Sequence, residues 1–289
     1  MTSTWTVLSL LNWAAPYLEK HSSTSPRLDA ELLLAKVLDC QRLELYLRFD
    51  KPLAPTELAA FKELILTRRQ GVPVAYLLGK KEFWSLDFQV NEAVLVPRPE
   101  TEHLVETPIE FIELNFPAGC PVLDIGTGCG NIILALAHHF ANLPDFSGIG
   151  CDLRPAALSV ATENAARLQL KTVSWLTSDL FNALTPAQHS FGLIVSNPPY
   201  ITSQEMKSLP LEVQCEPAAA LNGGPDGLEF YRKIAVRAKN FLKPGGGLIF
   251  EVGDGQAAAV KKILASNNYS AISTKYDLAR CERVVMGLK

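Results

Sequence analysis

Asn197-Pro198-Pro199-Tyr200 follows the apolar run Leu193-Ile194-Val195, the pattern of a buried strand ending in a short rigid loop. A carboxamide or exocyclic amine has two N–H donors to satisfy. Asn197 offers a side-chain carbonyl oxygen to one, and the main-chain carbonyl of Pro198 can take the other. Both prolines have restricted φ and no N–H, and each holds the residue before it extended, so the loop presents acceptors without competing donors. Tyr200 adds a flat face for a flat substrate. The set points to methyl transfer onto a planar nitrogen. Asn197, Pro198 and Tyr200 are the catalytic candidates, and Asn197, Pro198, Pro199 and Tyr200 the substrate-binding segment. The plainer alternative is a proline-rich strand exit with a surface tyrosine, and the residues upstream weigh against it.

Those residues are Pro121-Val122-Leu123-Asp124-Ile125-Gly126-Thr127-Gly128-Cys129-Gly130, a strand turning through three alternating glycines before the apolar helical run Ile132 to Ala137. Glycines allow positive φ and close approach of the backbone to a ligand, and a helix N-terminus beyond can face an anionic group. The dinucleotide fingerprint G-x-G-x-x-G needs its third glycine one position later, where Asn131 stands. The pattern D-x-G-x-G-x-G instead favours S-adenosylmethionine, with Gly126, Thr127, Gly128, Cys129 and Gly130 as the cofactor loop. A second strand, Ser147 to Cys151, ends in Asp152, about 20 residues past the loop, where an acid can bind ribose hydroxyls. A turn or helix cap before Pro155 is the competing role for Asp152. Ser178-Asp179-Leu180-Phe181 follows a third strand-like run, Thr172 to Leu176, and Asp179 and Leu180 are expected to border adenine. Asn197 completes the cofactor-contacting set.

The elements that must position these residues divide near residue 75. Before it, apolar residues recur at helical spacing: Val7, Leu11, Ala14 and Leu18, then Leu28, Leu32, Ala35 and Leu38, then Leu58, Phe61 and Ile65. Pro55 with Glu57 marks a helix start and Gly71-Val72-Pro73 its end. Residues 1–75 read as a small helical bundle suited to partner docking. Residues 76–100 read as a β-hairpin connector, with Glu82 to Val90 as one arm, a turn at Asn91-Glu92-Ala93, and Val94 to Val96 as the other. Over 101–289 strands alternate with helices, the signature of an α/β domain with a parallel sheet. Its last elements are a strand at Gly247 to Val252, a helix at about Gln256 to Ser266, and strands near Ala271 to Tyr276 and Arg283 to Gly287.

Composition is compatible with this reading. The 289 residues carry 27 basic against 30 acidic side chains, a net charge of −3, which lacks the positive field of a protein built to hold phosphate backbones. Residues 1–75 hold nine Lys/Arg and eight Asp/Glu, too balanced for a dedicated duplex-binding module. The six cysteines contain no C-x-x-C pair and read as buried, reduced thiols, and no metal site is expected. Met1 to Trp5 shows no leader and no apolar stretch approaches the ~20 residues needed to span a bilayer, so a cytoplasmic enzyme, expected to be a monomer, is the default. His138-His139 and Arg68-Arg69 read as cations favoured at helix C-termini. Pro97 to Glu102 reads as a rigid loop and helix cap, with Thr101 or Glu100 reaching the site as the alternative, and Gly223 to Gly227 as a loop or lid.

Taken together, the chain resembles the peptide-chain release factor glutamine methyltransferase family over nearly its whole length. The matching pieces are P-R-L-D-A-E-L-L at Pro26 to Leu33, V-P-R-P-E-T-E at Val96 to Glu102, D-I-G-T-G-C-G at Asp124 to Gly130, and S-N-P-P-Y at Ser196 to Tyr200. E-P-A-A-A-L at Glu216 to Leu221, G-G-P-D-G-L at Gly223 to Leu228, and the ending Asp277-Leu278-Ala279 to Val285 also match. The resemblance implies a class I S-adenosylmethionine-dependent methyltransferase fold, a Rossmann-like, doubly wound, mostly parallel sheet with an N-terminal helical bundle. It implies methylation of the side-chain amide nitrogen of the glutamine in the Gly-Gly-Gln loop of release factors. The Gly126 to Gly130 loop and Asp152 would hold the cofactor, Leu180 or its neighbours would border adenine, and Asn197 to Tyr200 would hold the glutamine. Cys129, Asn131, Leu180 and Arg280-Cys281 depart from the residues more usual in the family. The rivals are a DNA or RNA adenine-N6 or guanine-N2 methyltransferase, in which Tyr200 would stack on an exposed base, a nicotinamide-dependent oxidoreductase, and a non-catalytic binding module.

Overall fold

The apolar repeat from Val7 onward folds as α1 (Val7–Glu19), which buries Val7, Leu10, Leu11, Ala14 and Leu18. A reciprocal cap opens it: Thr6 N donates to Ser9 Oγ at 2.8 Å and Ser9 N to Thr6 Oγ1 at 3.3 Å. The chain is described by a computed structural model covering residues 4–21, 23–277 and 279–289. Met1 to Ser3, part of the N-terminal stretch read above as lacking a leader, and Leu278 of the ending motif lie outside the described residues.

Helix α2 (Pro26–Val37) presents a different face from the one the spacing predicts. Ala30, Leu33, Leu34 and Ala35 are its buried apolar residues, whereas Leu28 is exposed and Leu32 only half-buried. The reason is ionic. Glu31 is buried but accepts from Arg27 Nε at 2.7 Å, Arg42 at 3.0 Å and Tyr46 Oη at 2.8 Å, and Asp29 accepts from Arg68 Nε at 2.8 Å. Paired carboxylates can occupy interior positions that an apolar count assigns to leucines. Arg42 and Tyr46 bound α3 (Arg42–Tyr46). Helix α4 (Pro55–Arg69) starts where Pro55 and Glu57 place it, with Ala54 N donating to Glu57 Oε2 at 2.7 Å, and α5 (Val74–Leu78) follows. Arg68 is a buried ion-pair partner, more than a solvated helix-end cation.

The hairpin comes earlier than expected. β1 (Lys80–Phe83) and β2 (Leu86–Gln89) pair around Trp84 and Ser85, both at positive φ (54° and 57°). Two-residue hairpins favour this mirror-image turn because it matches strand twist, usually with Asn or Gly at the tip. Neither is present here, so the sequence signal was missing.

A 3₁₀ turn, Pro99–Glu102, leads into α6 (His103–Asn115). Then come β3 (Pro121–Ile125), α7 (Asn131–His139), β4 (Ser147–Asp152), α8 (Pro155–Arg167), β5 (Val173–Thr177) and β6 (Phe191–Ser196). The remainder is α9 (Leu211–Gln214), α10 (Glu229–Ala238), β7 (Leu242–Glu251), α11 (Ala257–Ser266), β8 (Ser270–Tyr276) and β9 (Glu282–Leu288). Two compact units result. Met1–Lys80 with Leu209–Cys215 forms the first, and Lys81–Ser208 with Glu216–Lys289 the second. Within the first, Glu212 of α9 pairs with Arg68 at 2.7 Å.

The second unit is built on a seven-stranded sheet of order β5-β4-β3-β6-β7-β9-β8. β3 to β7 are parallel, while β9 runs antiparallel to both β7 and β8. Alternation divides the apolar side chains between two faces. Val122, Leu193, Val195 and Ile249 pack with α6 and α7, and Leu123, Ile125, Ile194, Leu248 and Phe250 with α10 and α11. β6 is buried along its whole length, as a central parallel strand must be. From β3 the chain builds outward through β4 and β5, then returns to lay β6 and β7 on the opposite side. Ligands bind outside the carboxyl ends of strands at such a reversal.

Candidate functional site

The reversal lies between β3 and β6, where Ile125 is in register with Ser196 and Ser196 Oγ donates to the Ile125 carbonyl at 2.8 Å. The next residues on the two strands are Gly126 and Asn197, so the glycine loop and the Asn-Pro-Pro-Tyr segment leave the sheet side by side. They open into a cavity of about 400 Å³, inside the ~300–1,000 Å³ range of small-molecule sites. Gly126, Gly128, Asp152, Asp179, Leu180, Asn197, Pro198 and Pro199 line it, as expected from sequence.

The remaining expected residues support the site from behind. Thr127 is buried, its hydroxyl donating to Asp124 Oδ2 at 2.6 Å. The Cys129 thiol is buried against Asn131 Oδ1 at 3.6 Å, and burial pushes it up to about 12, so it is no nucleophile. A Cβ on Gly130 would meet Leu134 and Trp175 at 3.0 Å, a packing requirement more than a ligand contact. Tyr200 is not among the residues that line the cavity. Its ring packs with the core beside Gly253, where an added Cβ would come within 2.8 Å of Cδ2. Burial, then the nearby Glu251 carboxylate, push its hydroxyl up to about 12.

Gly126 and Gly128 adopt φ of 73° and 56°, and an added Cβ at either meets no protein atom within 4 Å. The loop is held by Asp152, whose Oδ2 accepts from Gly128 N at 3.1 Å and Oδ1 from Arg154 N at 2.9 Å. Asn164 of α8, wholly buried, also holds it: its amide donates to the Cys129 carbonyl at 2.9 Å and to Gln89 O at 3.1 Å, and its oxygen accepts from Gln89 N at 2.7 Å. Asp124, fully buried, is pushed up to about 7 by desolvation, opposed by the Thr127 hydrogen bond.

Several contributors were not placed at the site by the sequence, although some lie in segments it singled out. Ala218, Ala219, Ala220, Phe230 and Ile234 supply cavity wall. Glu216, buried, accepts from Val96 N at 3.0 Å and pairs with Arg98, joining the E-P-A-A-A-L and V-P-R-P-E-T-E segments. The Gly223 to Gly227 loop seats the proline segment: a Cβ on Gly223 would come within 2.7 Å of the Pro199 carbonyl oxygen, and one on Gly227 would strike the Tyr200 carbonyl. The thiols are mixed: Cys120, Cys129 and Cys151 are buried, as expected, whereas Cys40, Cys215 and Cys281 are partly exposed because they lie at helix and strand edges. Among the described residues no cluster could hold a metal ion, and no helix is long and apolar enough to cross a membrane.

Residues 117–284 match the family model described as a methyltransferase domain, and residues 9–79 the one described as PrmC N-terminal domain. A release factor glutamine methyltransferase of Rhodopirellula baltica is 44% identical over 287 residues, 97% of this chain and 95% of that protein. The chain belongs to the release factor glutamine methyltransferase family. Another member, from Geobacter sulfurreducens, is 40% identical over 284 residues, covering 98% of this chain and 96% of its own. A methyltransferase from Pyrococcus furiosus superposes with a TM-score of 0.53 at 19% identity, covering 72% of this chain and 91% of its own, a likeness of fold. In this family member the matched methyltransferase domain contains every cavity-lining residue named above.

Proposed function

We propose that this chain transfers a methyl group from S-adenosylmethionine to the side-chain amide nitrogen of the glutamine in the Gly-Gly-Gln loop of peptide chain release factors. The observation that carries the reading is the adjacency of the glycine loop and Asn197 at the β3–β6 reversal, in a chain 44% identical to a release factor glutamine methyltransferase.

The residues fit the methyl donor. Gly126 and Gly128 leave main chain bare against the cavity, Asp152 reaches it with a carboxylate, and Leu153, Leu180 and Ile234 provide apolar wall. That donor chemistry is a methyl carbon made electrophilic by a sulfonium. Asp152 serves as acceptor for ribose hydroxyls, and Leu180 with Asp179 borders adenine.

The glutamine amide is a reluctant nucleophile because its lone pair is delocalised into the carbonyl, the resonance that gives peptide bonds a ~18–20 kcal/mol rotational barrier. Asn197 Oδ1 and the Pro198 carbonyl accept its two N–H groups and set the direction of the nitrogen. Such positioning can contribute up to ~7–11 kcal/mol to lowering a barrier. No strong base is needed beforehand, since the amide proton becomes acidic only as the nitrogen gains charge. Tyr200 anchors the loop from the core side, and its absence from the cavity wall weakens the reading in which it stacks on a nucleobase. The N-terminal helical bundle, residues 1–75, is the docking module, residues 76–100 the connector and 101–289 the transferase domain.

The test is methyl-labelled S-adenosylmethionine offered with an intact release factor, with the same factor lacking the Gly-Gly-Gln glutamine, and with nucleic acid. Label is expected in the first alone. Label in nucleic acid, or label that survives replacement of the glutamine, would refute the assignment.

A further inference from the structure

The carboxamide of Asn197 has two chemically different ends of almost equal shape, and only the oxygen end can accept from a substrate N–H. Something must keep the NH₂ end turned away. Asn197 Nδ2 donates to Thr101 Oγ1 at 3.3 Å. Thr101 lies in the Pro99–Glu102 turn and is 2% exposed, so its hydroxyl has no bulk water to bond. A hydroxyl that accepts from the amide has its own proton left to place.

That proton has a destination. Ser196 is in register with Phe250, which puts Asn197 beside Glu251 at the carboxyl ends of β6 and β7. Glu251 is 3% exposed, and its Oε2 has no hydrogen-bond partner. Thr101 and Asn197 are among the polar side chains close to this carboxylate, and both favour its ionised form. An ionised carboxylate only accepts. Placed beyond the hydroxyl, it makes one order favourable: amide N–H to hydroxyl oxygen, hydroxyl proton to carboxylate, amide oxygen to the cavity.

We propose that Thr101 and Glu251 are positioning residues that fix the Asn197 carboxamide with its oxygen toward the substrate, through a directional chain from Asn197 Nδ2 to the Thr101 hydroxyl to the Glu251 carboxylate. The proposal rests on the functional reading above and adds the device that selects between the two amide orientations. Neither residue touches the reacting atoms. They act through Asn197.

The chain is sensitive to the charge state of Glu251. Its surroundings are Arg283 on β9, Glu100 beside Thr101, and the hydroxyl groups of Tyr200 and of Tyr231 on α10. Arg283 is itself shared with Asp277 at 2.9 Å. Burial dominates and pushes the carboxyl up to about 7, with Thr101 and Arg283 opposing. When protonated, Glu251 can donate to Thr101, the hydroxyl loses its acceptor, and the selection weakens. Turnover is therefore expected to rise with pH through about 7.

The experiment uses the full chain with an intact release factor and labelled S-adenosylmethionine, and compares wild type with Glu251→Gln, Thr101→Val and Thr101→Ser. Thr101→Val, which removes the hydroxyl, and Glu251→Gln, whose carboxamide can donate as well as accept and so no longer enforces one order, are expected to lower kcat about tenfold or more, with KM and cofactor Kd changed less than about threefold. Glu251→Gln should also lose the rise in kcat near pH 7, a change that packing alone would not produce. Thr101→Ser restores the hydroxyl and should recover most of what Thr101→Val loses. Unchanged kcat and pH profile in Glu251→Gln would overturn the chain, as would a Thr101→Val loss that serine does not recover or that follows a collapse in Tm. An inactive wild type would overturn the functional reading and the chain with it, whereas an active wild type with indifferent variants overturns only the chain.

Discussion

Asp152 Oδ2 accepts the main-chain N–H of Gly128 at 3.1 Å, which locks the carboxylate ending β4 to the glycine loop ending β3. Each carboxylate oxygen can accept more than one donor, so Asp152 can hold the loop and still meet a ligand in the cavity it lines. Asp152→Asn keeps an acceptor for the loop but removes the charge. Its Kd for S-adenosylmethionine, read by calorimetry, is expected to rise roughly 10- to 100-fold, since hydrogen bonds to charged groups contribute ~1.5–3 kcal/mol. An unchanged Kd would remove Asp152 from the ligand site.

Asn197→Ala takes away one of the two proposed substrate acceptors while leaving the glycine loop intact. Turnover should fall roughly 10²–10³-fold, as when one preorganised polar group is removed from a site. Cofactor affinity should stay within a few-fold. Normal single-turnover rates in this variant would end the positioning mechanism.

Gly227 has a φ of 72°, and a Cβ there would collide with the Tyr200 carbonyl and the Gln256 side chain. Gly255 also has a φ of 72°, but a Cβ would meet nothing within 4 Å. Gly255→Ala therefore reports backbone strain alone, roughly 1–2 kcal/mol, whereas Gly227→Ala adds displacement of the proline loop. Since a shift of about 1 Å can cost ~10²-fold in rate, kcat should drop in Gly227→Ala far more than in Gly255→Ala. Equal kcat in the two variants would show that the loop tolerates the intrusion.

Asp124 makes stability depend on pH. Its folded-state pKa of about 7 lies above its ordinary 3.8, so between those values the folded chain holds a proton that the unfolded chain releases. The contribution of the neutral form is complete below about 4 and lost as pH rises through about 7. Glu251 acts with the same sign. Asp124→Asn cannot ionise, and its urea midpoint relative to wild type should be higher at about pH 8 than at about pH 5. A difference that does not change with pH would show that Asp124 is not held neutral by the fold.

Much of the site was legible because its determinants are local. Positive φ at Gly126, Gly128 and Gly130 and the stiffness of Pro198 and Pro199 belong to single residues, so spacing alone marked a candidate ligand loop and a rigid strand exit. The strands β3 to β9 were readable for the same reason, although β7 begins at Leu242, ahead of the Gly247 expected. Failures came where partners remote in sequence decide. Paired arginines and a tyrosine turned α2 so that Glu31 is buried and Leu28 exposed. Trp84 and Ser85 take a turn that their types do not favour.

The amino-acid sequence by itself determined the glycine loop and the Asn197 to Tyr200 segment as candidate site loops, the alternation of strands and helices, and the family. Only the tertiary structure decided that β6 lies beside β3, which brings Gly126 and Asn197 together, and that Glu251, Thr101, Glu216 and Asn164 stand behind them. It also decided that Tyr200 faces the core. The physical reason is that backbone preference is a property of one residue and its neighbours, whereas the free energy of a buried polar side chain depends on which groups folding brings within reach.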